Sequence, residues 1–151
     1  MIAVDTNILV YAHRFESPFN QVAFERLTEL AKGAAPWAMP LPCLHEFLNV
    51  VTHPRIFAPP TSLELAFGQV DIWLESPSLV LLTESPSHWT TLRAILLESV
   101  ITGPRVHDAR IAALCRQHGV REFWSVDRDF SRFPSLRVVN PLVGQHGFHE
   151  Q

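Results

Sequence analysis

Four acidic residues that lie far apart in this sequence each lie at the predicted end of a strand or start of a helix. Asp5 and Asp127 each follow a short apolar run, whereas Glu46 and Asp108 each lie near the start of a helical pattern. In an open parallel α/β sheet, strand carboxyl ends and helix amino ends meet along the same edge. Carboxylates gathered there repel one another unless a cation neutralises them. The sequence therefore predicts a divalent metal site with these four residues as its ligands.

Each of these acids also has an ordinary structural interpretation. Asp108 could be a first-turn residue that interacts with the helix dipole, and Glu46 could be solvated or form an ion pair. Asp5 and Asp127 could be turn residues that follow their strands. Asp108, however, shares the predicted sheet-facing side of its helix with three residues at helical spacing, Ile111, Ala112 and Cys115. Only the convergence of all four acids favours the metal site over these alternatives.

Apolar patterns along the chain predict alternating strands and helices. Strands are expected at residues 2–4, 37–39, 79–82, 123–126 and 137–139. Helices are expected at about 19–33, from Pro42 onward, and at 62–75, 87–101 and 107–118, the last ended by Gly119. This alternation predicts a three-layer α/β/α sandwich with a mainly parallel central sheet and right-handed crossovers.

Size and composition limit the classes of protein to consider. The 151 residues, 47% of them hydrophobic, are expected to form one domain spanning 1–151. No apolar run approaches the length of a membrane span, and the start lacks a signal-peptide pattern, so a cytoplasmic protein without membrane contact is expected. Cys43 and Cys115 lie in apolar helical patterns, which predicts buried thiols rather than a disulfide.

Charge is unevenly distributed along the chain. The net charge is −3, but residues 101–151 carry seven arginines against five acids, whereas residues 1–100 carry five basic residues against ten acids. Arginine guanidinium groups suit phosphate recognition, although an ordinary solvated surface explains them equally well. The candidate phosphate ligands near the acids are Arg105, Arg110 and Arg128.

Several competing motifs fail at a required position. The helix with His45 and Glu46 has Asn49 where a zinc-protease motif needs a second histidine. The segment from Asp127 resembles the start of a calcium loop, but Arg132 replaces the glycine that the loop requires. No glycine-rich phosphate-binding loop is present, which argues against an ATPase or dinucleotide enzyme.

The ordered motifs resemble those of PIN-domain ribonucleases. The resemblance rests on residues 4–12 (VDTNILVYA), the helix with Glu46, residues 107–114 (HDARIAAL) and residues 125–130 (SVDRDF). It spans nearly the whole chain. The single-domain size and the ending at 133–142 (FPSLRVVNPL) are most similar to the VapC toxins of type II toxin–antitoxin pairs.

The resemblance implies a fold, an activity, a cofactor and partners. Family members fold as α/β/α sandwiches and cleave RNA with Mg²⁺ or Mn²⁺ bound at the acids that match Asp5, Glu46, Asp108 and Asp127. The position of Asp129 implies either a further ligand or a supporting role. Three polar residues match positions that orient the carboxylates: Thr6, Asn7 and Ser125. Toxin members are usually homodimers that a cognate antitoxin holds inactive.

Two other functions are compatible with the sequence. A non-catalytic module that binds RNA or protein would use the acids in structural ion pairs with arginines, and would show no metal dependence. A structure-specific DNA nuclease could share the acidic arrangement, but the chain is short for the added arches and clamps of such enzymes. An endoribonuclease is the function that the sequence favours.

Overall fold

A five-stranded sheet forms the centre of the molecule in the computed structural model, which describes residues 1–143. The strands are β1 (Ile2–Val4), β2 (Trp37–Pro40), β3 (Leu79–Leu82), β4 (Glu122–Trp124) and β5 (Arg137–Val139). Their order in the sheet is β3-β2-β1-β4-β5, and every neighbouring pair is parallel. The predicted end of the domain at residue 151 lies outside the described residues.

Helices follow the strands along the chain. They are α1 (Thr6–His13), α2 (Asn20–Lys32), α3 (Leu41–Val51), α4 (Leu63–Leu74), α5 (His88–Ser99) and α6 (Val106–Gln117). Short 3-10 helices span Gly103–Arg105 and Arg128–Arg132. Among the described residues, no helix combines the length and the apolar character that crossing a membrane requires.

Side chains that alternate along the strands divide the core into two halves. Val4 and Trp37 pack with α1, α2, α3 and α4 on one face of the sheet. Ala3 and Phe123 pack with α5, α6 and the region after β4 on the other face. Because consecutive strand residues point to opposite faces, even these short strands serve both cores. The predicted α/β/α sandwich is confirmed.

One helix was absent from the sequence prediction. α1 begins directly after β1, with no intervening loop, and the Asp5 side chain caps it by accepting a hydrogen bond from the Thr6 backbone N–H. Four of its eight residues are buried, Ile8, Leu9, Val10 and Ala12. Three of these are consecutive, so the sequence lacks the spaced apolar stripe by which a surface helix is recognised.

The predicted strand at 123–126 was wrong at its end, because β4 stops at Trp124. The Ser125 hydroxyl accepts a hydrogen bond of 2.9 Å from the Asp127 backbone N–H, which turns the chain away from the sheet. Asp127 then caps the following 3-10 helix by accepting a hydrogen bond from the Asp129 N–H. Elsewhere, α6 ends as predicted, with Gly119 in the left-handed region at φ 71°.

Candidate functional site

The site lies where the direction of strand succession reverses. From β1 the chain proceeds through β2 to β3 on one side, whereas β4 and β5 lie on the other side of β1. Crevices at such reversal points, beyond the carboxyl ends of the strands, are the usual ligand sites of open α/β sheets. Asp5 and Asp127 follow the two strands that border this point.

A cleft of about 800 Å³ opens at this edge. Its walls include all four acids singled out in the sequence, Asp5, Glu46, Asp108 and Asp127. β1 and the segment after β4 contribute one acid each, and α3 and α6 contribute the other two. The cleft also includes Thr6, Asn7, His45, His107 and Arg110. The tertiary fold therefore brings together residues from the whole length of the chain.

Asp5 is the most enclosed of the four acids, with 6% of its surface exposed. Its Oδ2 accepts a hydrogen bond of 2.6 Å from the Ser125 hydroxyl, and its Oδ1 accepts one of 2.8 Å from the Thr6 N–H. Burial raises the pKa of Asp5, while these hydrogen bonds lower it and the charge of Asp127 raises it further. Asp5 is thus a fixed carboxylate whose charge lacks solvent compensation.

Asn7 links the two strand ends. Its side-chain amide donates to Oδ2 of Asp5 and to the Ser125 hydroxyl, both at 3.3 Å. Its Oδ1 accepts a hydrogen bond of 3.4 Å from the Val126 backbone N–H. Thr6 instead donates its hydroxyl to the Cys43 carbonyl in α3. Three polar residues named from the sequence therefore contact Asp5 or the segment that carries Asp127.

Asp108 and Glu46 form the more open wall of the cleft. Burial raises the pKa of Asp108, and the charges of Asp127 and Asp129 add to this effect, whereas Arg105 opposes it. Glu46 is exposed on α3 and accepts a hydrogen bond of 3.5 Å from the Asn49 amide. These two acids have more freedom to move than Asp5 does.

Asp129 differs from the other acids. Its Oδ2 lies 2.9 Å from Nη1 of Arg105 in an ion pair, and it is not among the residues that line the cleft. Within residues 1–143, none of the four cleft acids forms an ion pair with a basic side chain. A binding module built on structural ion pairs accounts for Asp129 but not for the four cleft acids.

The donor set of the cleft has the chemistry of a hard-cation site, since carboxylate oxygens are the ligands that Mg²⁺ and Mn²⁺ prefer. The side chains of residues 1–143 nevertheless bring no group of three His, Cys, Asp or Glu into positions that could hold one ion. The acids line one cleft without forming a closed ligand cage.

The three candidate arginines have different surroundings. Arg110 lines the cleft and pairs with Glu84, whose Oε1 lies 3.0 Å from Arg110 Nε. Arg105 pairs with Asp129, and Arg128 is exposed. Glu84 was missed in the sequence, although it follows β3 by two residues, a position comparable to those of Asp5 and Asp127 after their strands.

A family model and a similar protein of known family both assign this chain to the same family. The family model described as PIN domain matches residues 2–136. VapC ribonuclease Mb2897 of Mycobacterium bovis is 35% identical over 145 residues, which cover 96% of this chain and 98% of that protein. The resemblance to this family, inferred from the sequence motifs, is confirmed.

Solved structures show the same fold at lower sequence identity. VapBC2 of Rickettsia felis, bound to a DNA fragment from its promoter, has a TM-score of 0.66 and 22% identity, covering 92% of this chain and 98% of that one. VapC20 of Mycobacterium tuberculosis, described as a Sarcin-Ricin loop cleaving toxin, has a TM-score of 0.62 and 18% identity, covering 87% and 93%. On sequence and fold together, the chain belongs to the PIN domain family, among its VapC proteins.

Proposed function

We propose that this protein is a Mg²⁺-dependent endoribonuclease that acts as the toxin of a toxin–antitoxin pair. The observation that carries the proposal is the convergence of Asp5, Glu46, Asp108 and Asp127 on one cleft, without a basic partner for any of them within residues 1–143. Uncompensated carboxylates favour binding of a cation. The names of the curated relatives, which include VapC ribonuclease Mb2897, support RNA as the substrate.

Asp5, Asp108 and Asp127 are the proposed metal ligands, together with Glu46, and Mn²⁺ is expected to substitute for Mg²⁺. The chemistry that such a cation supplies when bound is a water of lowered pKa and neutralisation of charge on the scissile phosphate. Asp129, held by Arg105, supports the loop rather than the ion. Its backbone N–H fixes the Asp127 carboxylate through a hydrogen bond of 2.9 Å.

The protein side chains have distinct roles in this proposal. Ser125, Asn7 and the Thr6 N–H hold Asp5 in one orientation, so its lone pairs need not be reorganised during the reaction. Arg110, at the wall of the cleft, presents guanidinium donors to an RNA phosphate. Attack by water in line with the 3′ oxygen as leaving group gives a 3′-hydroxyl and a 5′-phosphate.

The decisive experiment is incubation of the purified protein with total cellular RNA, followed by sequencing of newly formed 5′ ends. Parallel reactions contain Mg²⁺, a chelator, or the Asp5→Asn variant, and Asp71→Asn on the exposed face of α4 is the matched control. New ends are expected for the wild type and Asp71→Asn with Mg²⁺ only. Cleavage that persists in the chelator or in Asp5→Asn would refute the proposed mechanism.

An antitoxin is the proposed regulatory partner. One solved structure of similar fold, with a TM-score of 0.60, is a toxin–antitoxin complex from Klebsiella pneumoniae. A second hollow of about 740 Å³ lies between the end of α1, residues 58–61 and α4, and Phe15, Leu65 and Ile72 line it while largely exposed. An apolar groove between helices suits a helical or extended segment of a partner protein. Homodimer formation is a further expectation, which sedimentation of the purified protein would test.

A further inference from the structure

We propose that Glu84 is a positioning residue that holds Arg110 so that its guanidinium binds an RNA phosphate at the rim of the cleft. The inference rests on the proposed function and adds a residue that lies outside the cleft to the RNA-binding apparatus. Glu84 lies two residues after β3, and Arg110 lies in the second turn of α6.

The contact between the two side chains uses only one of the three guanidinium nitrogens of Arg110. Glu84 Oε1 accepts a hydrogen bond of 3.0 Å from Arg110 Nε. Within residues 1–143, the two terminal nitrogens of Arg110 have no hydrogen-bond partner. The planar guanidinium carries five N–H donors in a rigid fork, so fixing Nε also fixes the plane in which the remaining donors point.

A histidine side chain lies near the Glu84 carboxylate on a second side. His88 Nε2 lies 3.8 Å from the same Oε1 of Glu84, and His88 Nδ1 is within 3.0 Å of Gln117 Oε1. His88 is buried at the start of α5, whereas Gln117 is the last residue of α6. The carboxylate therefore lies near side chains from both α5 and α6, and its direct contact is with Arg110.

The surrounding surface explains why Glu84 would act through Arg110. A smaller hollow of about 230 Å³ adjoins the cleft, and Arg110 and Pro42 border both. Glu84 lines the smaller hollow but not the cleft. Arg110 thus lies between the cleft and the smaller hollow, where an RNA strand that leaves the acidic cleft would pass. Glu84 contacts Arg110 from the smaller hollow.

Removal of Glu84 has two opposite expected effects on RNA affinity, one from its charge and one from its contact with Arg110. A carboxylate near a polyanion repels it, so loss of the charge by itself should tighten RNA binding. If Glu84 positions Arg110, the loss should weaken binding, because the arginine side chain must then be ordered at the expense of binding energy. The sign of the change therefore distinguishes the two effects.

The test measures RNA binding separately from cleavage. In the Asp5→Asn background, the affinity for a fluorescent single-stranded RNA of mixed sequence is measured by anisotropy at several salt concentrations. Glu84→Ala should weaken binding by up to about fivefold, the upper end of the range for an exposed ion pair. Glu84→Gln keeps the acceptor for Arg110 Nε and should bind at least as tightly as the parent.

A double-mutant cycle shows whether the two residues act together. Arg110→Ala should weaken binding and reduce the slope of log K against log salt by about 0.7, the value for one phosphate contact on a single strand. Adding Glu84→Ala to Arg110→Ala should weaken binding no further. In cleavage assays of the wild-type background, Glu84→Ala should raise KM and leave kcat unchanged.

Glu98→Ala is the matched control. It removes an ion pair of 2.9 Å between Glu98 in α5 and Arg116 in α6, and Glu98 is exposed to 48%, close to the 50% of Glu84. Its RNA affinity should equal that of the parent. Tighter binding by Glu84→Ala, or additive effects in the double variant, would overturn the positioning role while leaving metal-dependent cleavage intact. A wild type that neither binds nor cleaves RNA would overturn the proposed function as well.

Discussion

The Ser125 hydroxyl donates a hydrogen bond of 2.6 Å to Oδ2 of Asp5, although 120 residues separate the two in the sequence. The Ser125 hydroxyl oxygen also accepts a hydrogen bond from the Asp127 N–H. One buried hydroxyl therefore connects the acid after β1 to the acid after β4. Ser125 and Asn7 together therefore fix the relative position of two proposed metal ligands.

Ser125→Ala is expected to impair both stability and cleavage. The substitution removes the shorter of the two hydrogen bonds to Asp5 Oδ2 and leaves the Asp127 N–H without its side-chain partner, which costs about 1–3 kcal/mol of unfolding free energy. Loss of a residue that orients ligands should reduce cleavage about 10- to 100-fold. Thermal melts and cleavage rates measured well below the melting temperature separate these effects. Ser131→Ala, exposed in the nearby 3-10 helix, should change neither quantity.

Asp108→Asn is expected to raise the melting temperature in the absence of divalent cations. Burial and the charge of Asp127 raise the pKa of Asp108 above its ordinary value of 3.8, so the folded state favours the neutral carboxyl. The stability that this contributes is fully present below pH 3.8 and is lost as pH rises through the folded pKa.

Asparagine imitates the neutral form at every pH. At pH 7 the variant should therefore melt about 1–2 °C higher than the wild type, a small shift because solvent screens a half-buried group. The difference should vanish once the pH is well below 3.8, where the carboxyl is protonated in both the folded and the unfolded state. A variant that is less stable at pH 7, or equally stabilised at both pH values, would contradict this account of the site.

Mn²⁺ is expected to stabilise the wild-type protein. A ligand that binds only the folded state at 100 times its dissociation constant adds about 2.7 kcal/mol, which corresponds to roughly 5–10 °C for a chain of this size. Scanning fluorimetry with increasing Mn²⁺ measures the shift. Asp5→Asn should respond much less, whereas Asp71→Asn should match the wild type. An unchanged wild-type melt would remove the case for a metal site.

Both cysteines are expected to resist alkylation in the folded protein. Burial raises the pKa of Cys115 to about 12, and burial together with the nearby charge of Asp5 raises the pKa of Cys43 well above its ordinary value. At pH 8, about one Cys115 thiol in ten thousand would be the reactive thiolate. Mass spectrometry after iodoacetamide should find no rapid modification of the native chain and two modified thiols after denaturation. Fast labelling of the native protein would show that the interior opens readily.

Leu65→Glu is expected to weaken inhibition by the antitoxin without changing cleavage. Leu65 lines the apolar hollow beside α4 and is not among the residues that line the acidic cleft, and a buried charge there would oppose docking of an apolar segment. Co-expression with the product of the neighbouring reading frame, followed by affinity purification and cleavage assay, measures both properties. Leu97→Glu on α5 is the control, since Leu97 and Leu65 are equally exposed at 68%. Equal inhibition of both variants would place the antitoxin elsewhere.

Local sequence signals were sufficient for most of the fold. Short apolar runs mark β1, β2 and β3, and helical spacing with proline or glycine at the ends marks α3 and α6. The position of Asp5 and Asp127 after strands placed both at one sheet edge, because parallel strands share the direction of their carboxyl ends. These predictions depend only on residues that are neighbours in the sequence, which is why the structure agrees with them.

Two features of the fold have no local signal in the sequence and were found only in the tertiary structure: the helix α1 and the end of β4. α1 has three consecutive buried residues, Ile8, Leu9 and Val10, because it packs on several sides at once, and a helix of that kind shows no amphipathic period. The end of β4 depends on the Ser125 hydroxyl and not on apolar character, so the apolar Val126 extended the predicted strand too far.

The sequence by itself predicted that four acids meet at one edge of the sheet, and only the tertiary structure decided what each acidic residue contacts. Asp129 pairs with Arg105, Glu84 pairs with Arg110, and Asp5 is buried under Ser125. The two partners in each pair come from different elements, separated by many residues, and their distance is set by how helices and strands pack. Local spacing fixes the direction of a side chain, whereas burial and charge pairing, which control its chemistry, arise only when the chain is folded.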